Sequence, residues 1–429
     1  MTDPVELLQR LIRFDTTNPP GSERECIGFL EGLFTDAGFE TRVFAKDDDR
    51  PNLVACLPGA GSAPPLLLQG HVDVVSTAGQ QWAHPPFEAA IEGGYVWGRG
   101  ALDMKGGVAM MASAVLRKPS TAGDVIFCAL SDEEAGGDCG ARFLVNEHAS
   151  LFDGVKYAIG EFGGFSMDVA GKRFYPIQVL EKQMCWMRAT VRGPGGHGSL
   201  PMRGGTAARL AKLLRDLDRG RLPVHVTDVP RRMIEGIAAE LPPPARLPLR
   251  GLLEPRLSDT LLRVLGDAAR SFEPMLHNTV NATILRAGDK VNVIPSEATV
   301  ELDGRVLPGF GPDDMVRELR GLVGDDVELE VGRFEEAPAT ADYGLFEMLG
   351  EVLREQDPTG TPVPMLLPGV SDGRIFAKLG IQTYGFLPMQ LPKDLRFTEI
   401  IHAADERIPV DSLEFGTRTI HTALERYGR

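Results

Sequence analysis

Cysteine, basic clusters and long apolar runs are scarce in this sequence, and each shortage removes a class of protein. Five cysteines (Cys26, Cys56, Cys128, Cys139 and Cys185) are scattered over 429 residues without a Cys-x-x-Cys pair. An odd, dispersed set argues against a disulfide frame or a thiolate zinc site and reads as reduced thiols. Lys and Arg number 45 against 60 Asp and Glu, a net charge of −15 with no basic cluster. Phosphate binding needs such clusters, so no nucleic-acid partner is expected. No apolar stretch approaches membrane-spanning length, so no membrane partner is expected either. The amino-terminal stretch Met1-Thr2-Asp3-Pro4-Val5-Glu6 lacks the basic region and apolar run of a signal peptide. The expected location is therefore cytoplasmic.

What is present is an alternation of periodicities. Helical spacing over 4–14 and 22–37, strand-like runs at 52–57 and 66–75, a helix at 106–116 and a buried strand at 124–130 predict an α/β sheet covered on both faces. Near Leu180 the pattern changes. A strand at 184–192, a helix at 206–217, strands at 278–286 and 298–306, a helix at 313–322 and a strand at 327–331 suit a small α+β domain with a one-sided antiparallel sheet. Residues 221–272, rich in Pro and Arg, read as an insertion with helical pieces. From 343 the α/β pattern resumes: a helix, a loop with several prolines, a helix-like stretch at 372–379, a strand at 382–387 and a long helix after Pro409. The expected division is a discontinuous domain over 1–180 and 336–429, with a second domain at 181–335 inserted in it.

Several short segments end an apolar run with a His, Asp or Glu beside glycines. They are Leu68-Gln69-Gly70-His71-Val72-Asp73, Trp97-Gly98-Arg99-Gly100-Ala101-Leu102-Asp103-Met104-Lys105-Gly106, Ser131-Asp132-Glu133-Glu134-Ala135-Gly136-Gly137, and Ile159-Gly160-Glu161-Phe162-Gly163-Gly164, with Ile401-His402-Ala403-Ala404-Asp405-Glu406 near the carboxyl end. Polar groups at the carboxyl ends of strands converge on one crevice in an α/β sheet. Several carboxylates buried together without a cation would be very unfavourable, whereas imidazole plus carboxylate is a donor set that zinc accepts. Asp73, two residues beyond His71 on the same strand face, can orient the imidazole. His84, His148, His225, His277 and His421 fit no such segment and read as structural or surface residues.

Taken together, these segments resemble the co-catalytic di-zinc peptidase family of acetylornithine deacetylase, succinyl-diaminopimelate desuccinylase, aminoacylase and glutamate carboxypeptidase, along nearly the whole chain. The resemblance implies that the first domain is catalytic, with a mixed, mostly parallel sheet between helices. The inserted α+β, ferredoxin-like domain would be a lid and dimerisation domain. It implies two Zn2+ per subunit, Co2+ or Mn2+ being able to occupy the same ligands. Asp103 would bridge them, His71 and Glu161 completing one site and Glu134 and His402 the other. Glu133 would be the general base for a metal-bridged hydroxide, Asp73 the partner of His71, and the Asp103–Met104 peptide cis.

The stretch Arg192-Gly193-Pro194-Gly195-Gly196-His197 is similar to the start of the family's lid, so His197 would reach the active site of a second subunit in a homodimer and stabilise the oxyanion. Asn292, Arg305, Ser371 and Arg374 match positions that hold substrate. A guanidinium binds a carboxylate through paired hydrogen bonds, so Arg305 or Arg374 could anchor a free carboxylate; the structural alternative for each is a salt bridge. Phe162 departs from the tighter turn of relatives, and a glutamate at 161 goes in the family with deacylases and carboxypeptidases. The expected reaction is hydrolysis of the amide bond of an N-acyl amino acid or short peptide with a free carboxylate. A dipeptidase, an N-carbamoyl amino-acid hydrolase and a non-catalytic relative that binds amino-acid-like ligands remain as alternatives.

Overall fold

The computed structural model describes residues 3–429, apart from the side chain of Ala268. Residues 1 and 2 of the amino-terminal stretch read above lie outside the described residues. The chain divides into two compact units. The first comprises Met1–Val179, Ala341–Met365 and Ser371–Arg429, and the second Leu180–Thr340 with Leu366–Val370.

The first unit is organised by a nine-stranded mixed sheet. Its centre is parallel: Val125–Leu130, Leu66–His71, Tyr157–Gly160 and Gln382–Gly385 lie side by side in that order. Antiparallel strands flank this centre, with Pro51–Leu57 and Glu40–Ala45 on one side and Lys172–Glu181 on the other. The expected mixed α/β sheet is therefore present, with its parallel pairs confined to the middle. Leu66–His71 and Val125–Leu130 are buried at every position, as continuous apolar runs must be when helices cover both faces. All twelve residues of the helix Lys105–Leu116 are also buried. Its Gly and Ala residues let it pack closely on several sides, which is why its sequence carries no polar stripe.

The structure corrects two readings. The strand expected over 66–75 ends at His71; Val72 N–H still donates to the Leu130 carbonyl at 2.8 Å, but by Val74 the chain bonds to the amino-terminal loop instead of the sheet. Asn18 N–H donates to the Val74 carbonyl (2.8 Å) and Val74 N–H to the Thr16 carbonyl (3.1 Å). The proline-rich stretch read as a loop contains the strand Gly360–Leu367. That strand lies at the outer end of the sheet, where prolines are tolerated because no neighbour needs their missing N–H.

The second unit is a four-stranded antiparallel sheet in the order Thr279–Ala287, Glu297–Val306, Gln183–Arg192, Glu328–Glu335. With the helices Thr206–Arg219 and Pro312–Val323 it has the strand–helix–strand–strand–helix–strand order of a ferredoxin-like fold. Glu297–Val306 alternates between buried and half-exposed or exposed residues, the mark of a sheet with one dry face. Between the first helix and second strand lie the helices Asp228–Glu240, Pro243–Gly251 and Pro255–Leu265. No helix among the described residues is long and apolar enough to cross a membrane.

Glycine placement gives a direct test of this packing. A Cβ on Gly106 would stand 2.1 Å from the Ala101 carbonyl oxygen, a backbone atom that cannot swing away, whereas one on Gly32 would meet nothing within 4 Å. Gly106→Ala should destabilise the chain by about 3 kcal/mol. Gly32→Ala, inside the helix Arg24–Asp36, should stabilise it by about 0.5–1 kcal/mol. Urea unfolding midpoints would show the opposite signs; equal midpoints would contradict the packing described.

Candidate metal centre

The carboxyl ends of the parallel strands deliver the site. His71 is the last residue of its strand, Glu161 follows the strand ending at Gly160, and Glu133 and Glu134 follow the strand ending at Leu130. Asp103 precedes the buried helix Lys105–Leu116, across a cis peptide to Met104. His402 comes from the loop after the short helix Phe397–Ile400. All of these belong to the first unit.

Asp103 lies between the two histidines and turns one oxygen to each. His71 Nε2 is 3.2 Å from Asp103 Oδ1 and 3.5 Å from Glu161 Oε2. His402 Nε2 is 3.2 Å from Asp103 Oδ2 and 3.2 Å from Glu134 Oε1. Two half-sites, each an imidazole and a carboxylate, thus share one aspartate. Ligand atoms of His71, Glu133 and Glu161 lie within 4.8 Å of one another, as do those of His71, Asp103 and Glu134.

The geometry also fixes a tautomer. His71 Nδ1 faces the Asp73 carbonyl oxygen at 3.0 Å, which can only accept, so Nδ1 keeps its proton in the neutral ring and the Nε2 lone pair becomes available once the proton it shares with Asp103 leaves. The Asp73 carboxylate accepts from the backbone N–H groups of Glu133 and Glu134, each at 3.1 Å, and from Asn18 Nδ2 at 2.8 Å. It therefore holds the Glu133-Glu134 turn as well as lying 3.4 Å from His71 Nδ1. Asp132, in a left-handed conformation (φ 71°), is tied by Asn18 Nδ2, the Cys139 N–H and Arg50. Asn18 and Arg50 were missed in the sequence. Their only local signals are an Asn beside two prolines and an Arg after an acidic run, neither of which marks a site.

Charge is the dominant feature. Burial raises Glu133 and Glu134, and brings Glu161 to about 7. An apolar recess formed by Leu102, Met104, Phe162, Phe165, Leu387 and Phe397 adjoins Asp103 and Glu161 and supplies that dry environment. Asp103 is also pushed up by burial, but hydrogen bonds from His402 and His71 outweigh this and hold it low. The same carboxylates raise His71 against its burial, and Asp103 with Glu134 takes His402 to about 10. Without a cation, then, the histidines keep protons in order to neutralise the carboxylates. The donor set fits two divalent ions, which would take over that role with His71 and His402 neutral.

The other sequence-predicted residues fall in two places. Ser371 and Arg374 belong to the first unit, and Arg374 Nη1 lies 3.9 Å from Glu133 Oε1 while donating to the Ser371 carbonyl. Beside them Asp372 is buried, neither of its oxygens has a hydrogen-bond partner, and burial lifts its carboxyl to about 6. His197, Asn292 and Arg305 belong to the second unit. His197 pairs with Val293 in a two-residue ladder, and Gly198 N–H donates to the Asn292 carbonyl at 2.8 Å, so His197 and Asn292 are neighbours on exposed loops. Arg305 is clasped by Asp303 through Nε (2.9 Å) and Nη2 (3.1 Å), while its buried Nη1 has no acceptor.

These shifts carry a pH prediction for the metal-free chain. His402, raised from 6.5 to about 10, contributes stability that is complete below pH 6.5 and lost as pH rises through about 10. Glu161, raised from 4.5 to about 7, holds a proton that the unfolded chain releases near 4.5, so it too favours unfolding as pH rises. Chelated protein should lose thermal stability from about pH 5 towards 10. Metal binding near pH 7.5 should release about two protons, from His71 and His402. Calorimetry in buffers of different ionisation enthalpy measures this, and zero release would contradict the site as described.

The sequence profile of Peptidase family M20/M25/M40 matches residues 67–426. The succinyl-diaminopimelate desuccinylase of Paracoccus denitrificans (strain Pd 1222) is 28% identical over 99% of this chain and 98% of its own length. "Probable carboxypeptidase S-like 2" of Dictyostelium discoideum is 28% identical over 81% of this chain and 69% of its own length. Among solved structures, the M20 family metallo-carboxypeptidase Sso-CP2 from Sulfolobus solfataricus superposes with a TM-score of 0.70 at 17% identity, covering 100% of both chains. With the profile spanning the ligand segments from His71 to His402, this chain belongs to Peptidase family M20/M25/M40 and is a metallohydrolase of that family.

Proposed function

We propose that this chain uses two zinc ions to hydrolyse the amide bond of an N-acyl amino acid or short peptide that carries a free carboxylate. The observation that carries the reading is the divided carboxylate of Asp103, with Glu133 left over beside it. His71 with Glu161 and His402 with Glu134 each complete a half-site. When bound, the two dications acidify water and polarise the scissile carbonyl. Glu133 takes the proton from water and delivers it to the leaving nitrogen. Its buried position favours the protonated form, which suits a group that must hold a proton between two steps. Asp73 keeps Glu133 in register by accepting its backbone N–H.

The free carboxylate is proposed from the cations. Arg305 has a buried Nη1 with no acceptor, in a guanidinium already oriented by Asp303. Arg374, fixed on the Ser371 carbonyl, lies beside Glu133. Asn292 and Ser371 would add polar contacts to the substrate. A homodimer is proposed from the outermost strand of the second unit, Thr279–Ala287, which leaves Ile284 and Leu285 exposed on an unpaired edge. His197 would then stabilise the oxyanion in the partner's site, and residues 181–335 would act as lid and dimerisation domain. Five free cysteines suit a cytoplasmic location.

A panel of acetyl, succinyl and carbamoyl amino acids, dipeptides and their methyl esters tests the proposal. Free acids of the N-acyl class should turn over and their esters should not; carbamoyl or dipeptide preference would replace that substrate class. Glu133→Ala should keep both metals and lose about 10²–10⁴-fold in turnover. His197→Ala should lower turnover while leaving metal content unchanged. Metal binding with no hydrolysis of any panel member would make the chain a binding protein instead.

A further inference from the structure

Behind the half-site of His402 and Glu134 lies a buried ion pair that the chemistry above does not use. Arg99 and Glu406 are 1% and 0% exposed, and Arg99 Nη1 meets Glu406 Oε2 at 2.6 Å. Each partner also ends on a metal-centre residue. Glu406 Oε1 accepts from the backbone N–H of Asp103 at 3.1 Å and of Leu102 at 2.8 Å. Arg99 Nη2 donates to the backbone carbonyl of His402 at 3.2 Å and to Gln80 Oε1 at 2.9 Å. Gln80 Nε2 donates to that same His402 carbonyl at 2.8 Å, and the guanidinium lies over the Trp82 ring at 5.2 Å.

We infer that Arg99, Glu406 and Gln80 are positioning residues that set the distance between Asp103 and His402, and so the metal affinity of that half-site in particular. The inference rests on the two-metal reading given above. His402 adopts a left-handed backbone (φ 61°), which a residue with a Cβ holds only when its surroundings insist. Two donors on its carbonyl supply that insistence. The side chain itself is 49% exposed, so side-chain packing contributes less to holding it in place. His71 needs no such device, because it ends a central strand and is oriented by Asp73. The asymmetry distinguishes the pair from a salt bridge that only stabilises the fold. An arginine is required because a planar fork reaches the carboxylate and the carbonyl together, and an ammonium does not.

Zinc titration of the metal-free, full-length chain separates the outcomes. The wild type should take up two equivalents. Arg99→Lys should keep one equivalent at wild-type affinity, weaken the other by about 10–100-fold, and recover turnover in excess zinc. Gln80→Ala leaves the buried charges intact and guards against a misfolded Arg99 variant; it should weaken the same equivalent by about tenfold. Two unchanged equivalents in both variants, or equal weakening of both together with thermal stability, would overturn the positioning role and leave the two-metal reading standing. A wild type that binds only one ion would overturn both.

Discussion

One carboxylate faces two imidazoles, and the demands of that arrangement run through the first unit. Asp103 can offer an oxygen to His71 and another to His402 only if both rings and both flanking glutamates approach a buried point. Asp73, Glu161 and Asp372 are buried there as well, with Glu133 and Glu134 nearly so. Each buried charge costs several kcal/mol unless something of opposite sign compensates it. Arg374 alone does not balance this set. The raised histidines and Glu161 are the metal-free chain's partial answer, and divalent ions are the complete one. The apolar recess beside Asp103 and Glu161 makes the demand sharper for those two, because charges interact more strongly in apolar surroundings.

The loops that bring these groups together are held in conformations they would not choose. Asp132, Phe162 and His402 all have positive φ, and each belongs to or adjoins the group of residues gathered around Asp103 and Glu133. A non-glycine residue in that region carries a cost of about 1–3 kcal/mol and persists where its surroundings over-determine it. The surroundings differ in kind. Asp132 is tied by polar groups from three parts of the chain. Phe162 is held by apolar packing, with Phe397 edge-on at 5.5 Å and Phe165 stacked on Phe397 at 4.4 Å. His402 is held by its carbonyl. Three unrelated devices thus hold three neighbouring turns.

How much of this could be read from the residues follows from range. The segments of His71, Glu133-Glu134 and Glu161 were legible because each ends an apolar strand, and strand ends in an α/β sheet share a location whatever the details. The parallel centre was legible from unbroken apolar runs such as Leu66–Leu68 and Val125–Leu130. The strand at Gly360–Leu367 was hidden by its prolines, which are acceptable only because no further strand follows it. Asn18 and Arg50 were invisible for another reason. Each acts on a residue more than about 50 positions away, and nothing local to it signals the partner. Arg99 and Glu406 sat inside the recognised Asp103 and His402 segments, yet only their burial against each other sets them apart.

The placement of groups also separates two sets of residues. Among the described residues, the groups shown facing Asp103 all come from the first unit. Arg305, His197 and Asn292 come from the second unit, and none has a partner among the metal-facing residues described above. The two sets are therefore distinct in the chain: the groups around Asp103 come from strand ends and loops of the first unit, and these three from the second. The difference bears on what could be read from the residues: the His, Asp and Glu of the strand ends were legible as a set, and no substrate group was. His, Asp and Glu at strand ends of an α/β sheet share one location and so read as a set, whereas the one-sided sheet of the second unit tolerates many side chains and marks no position as a site.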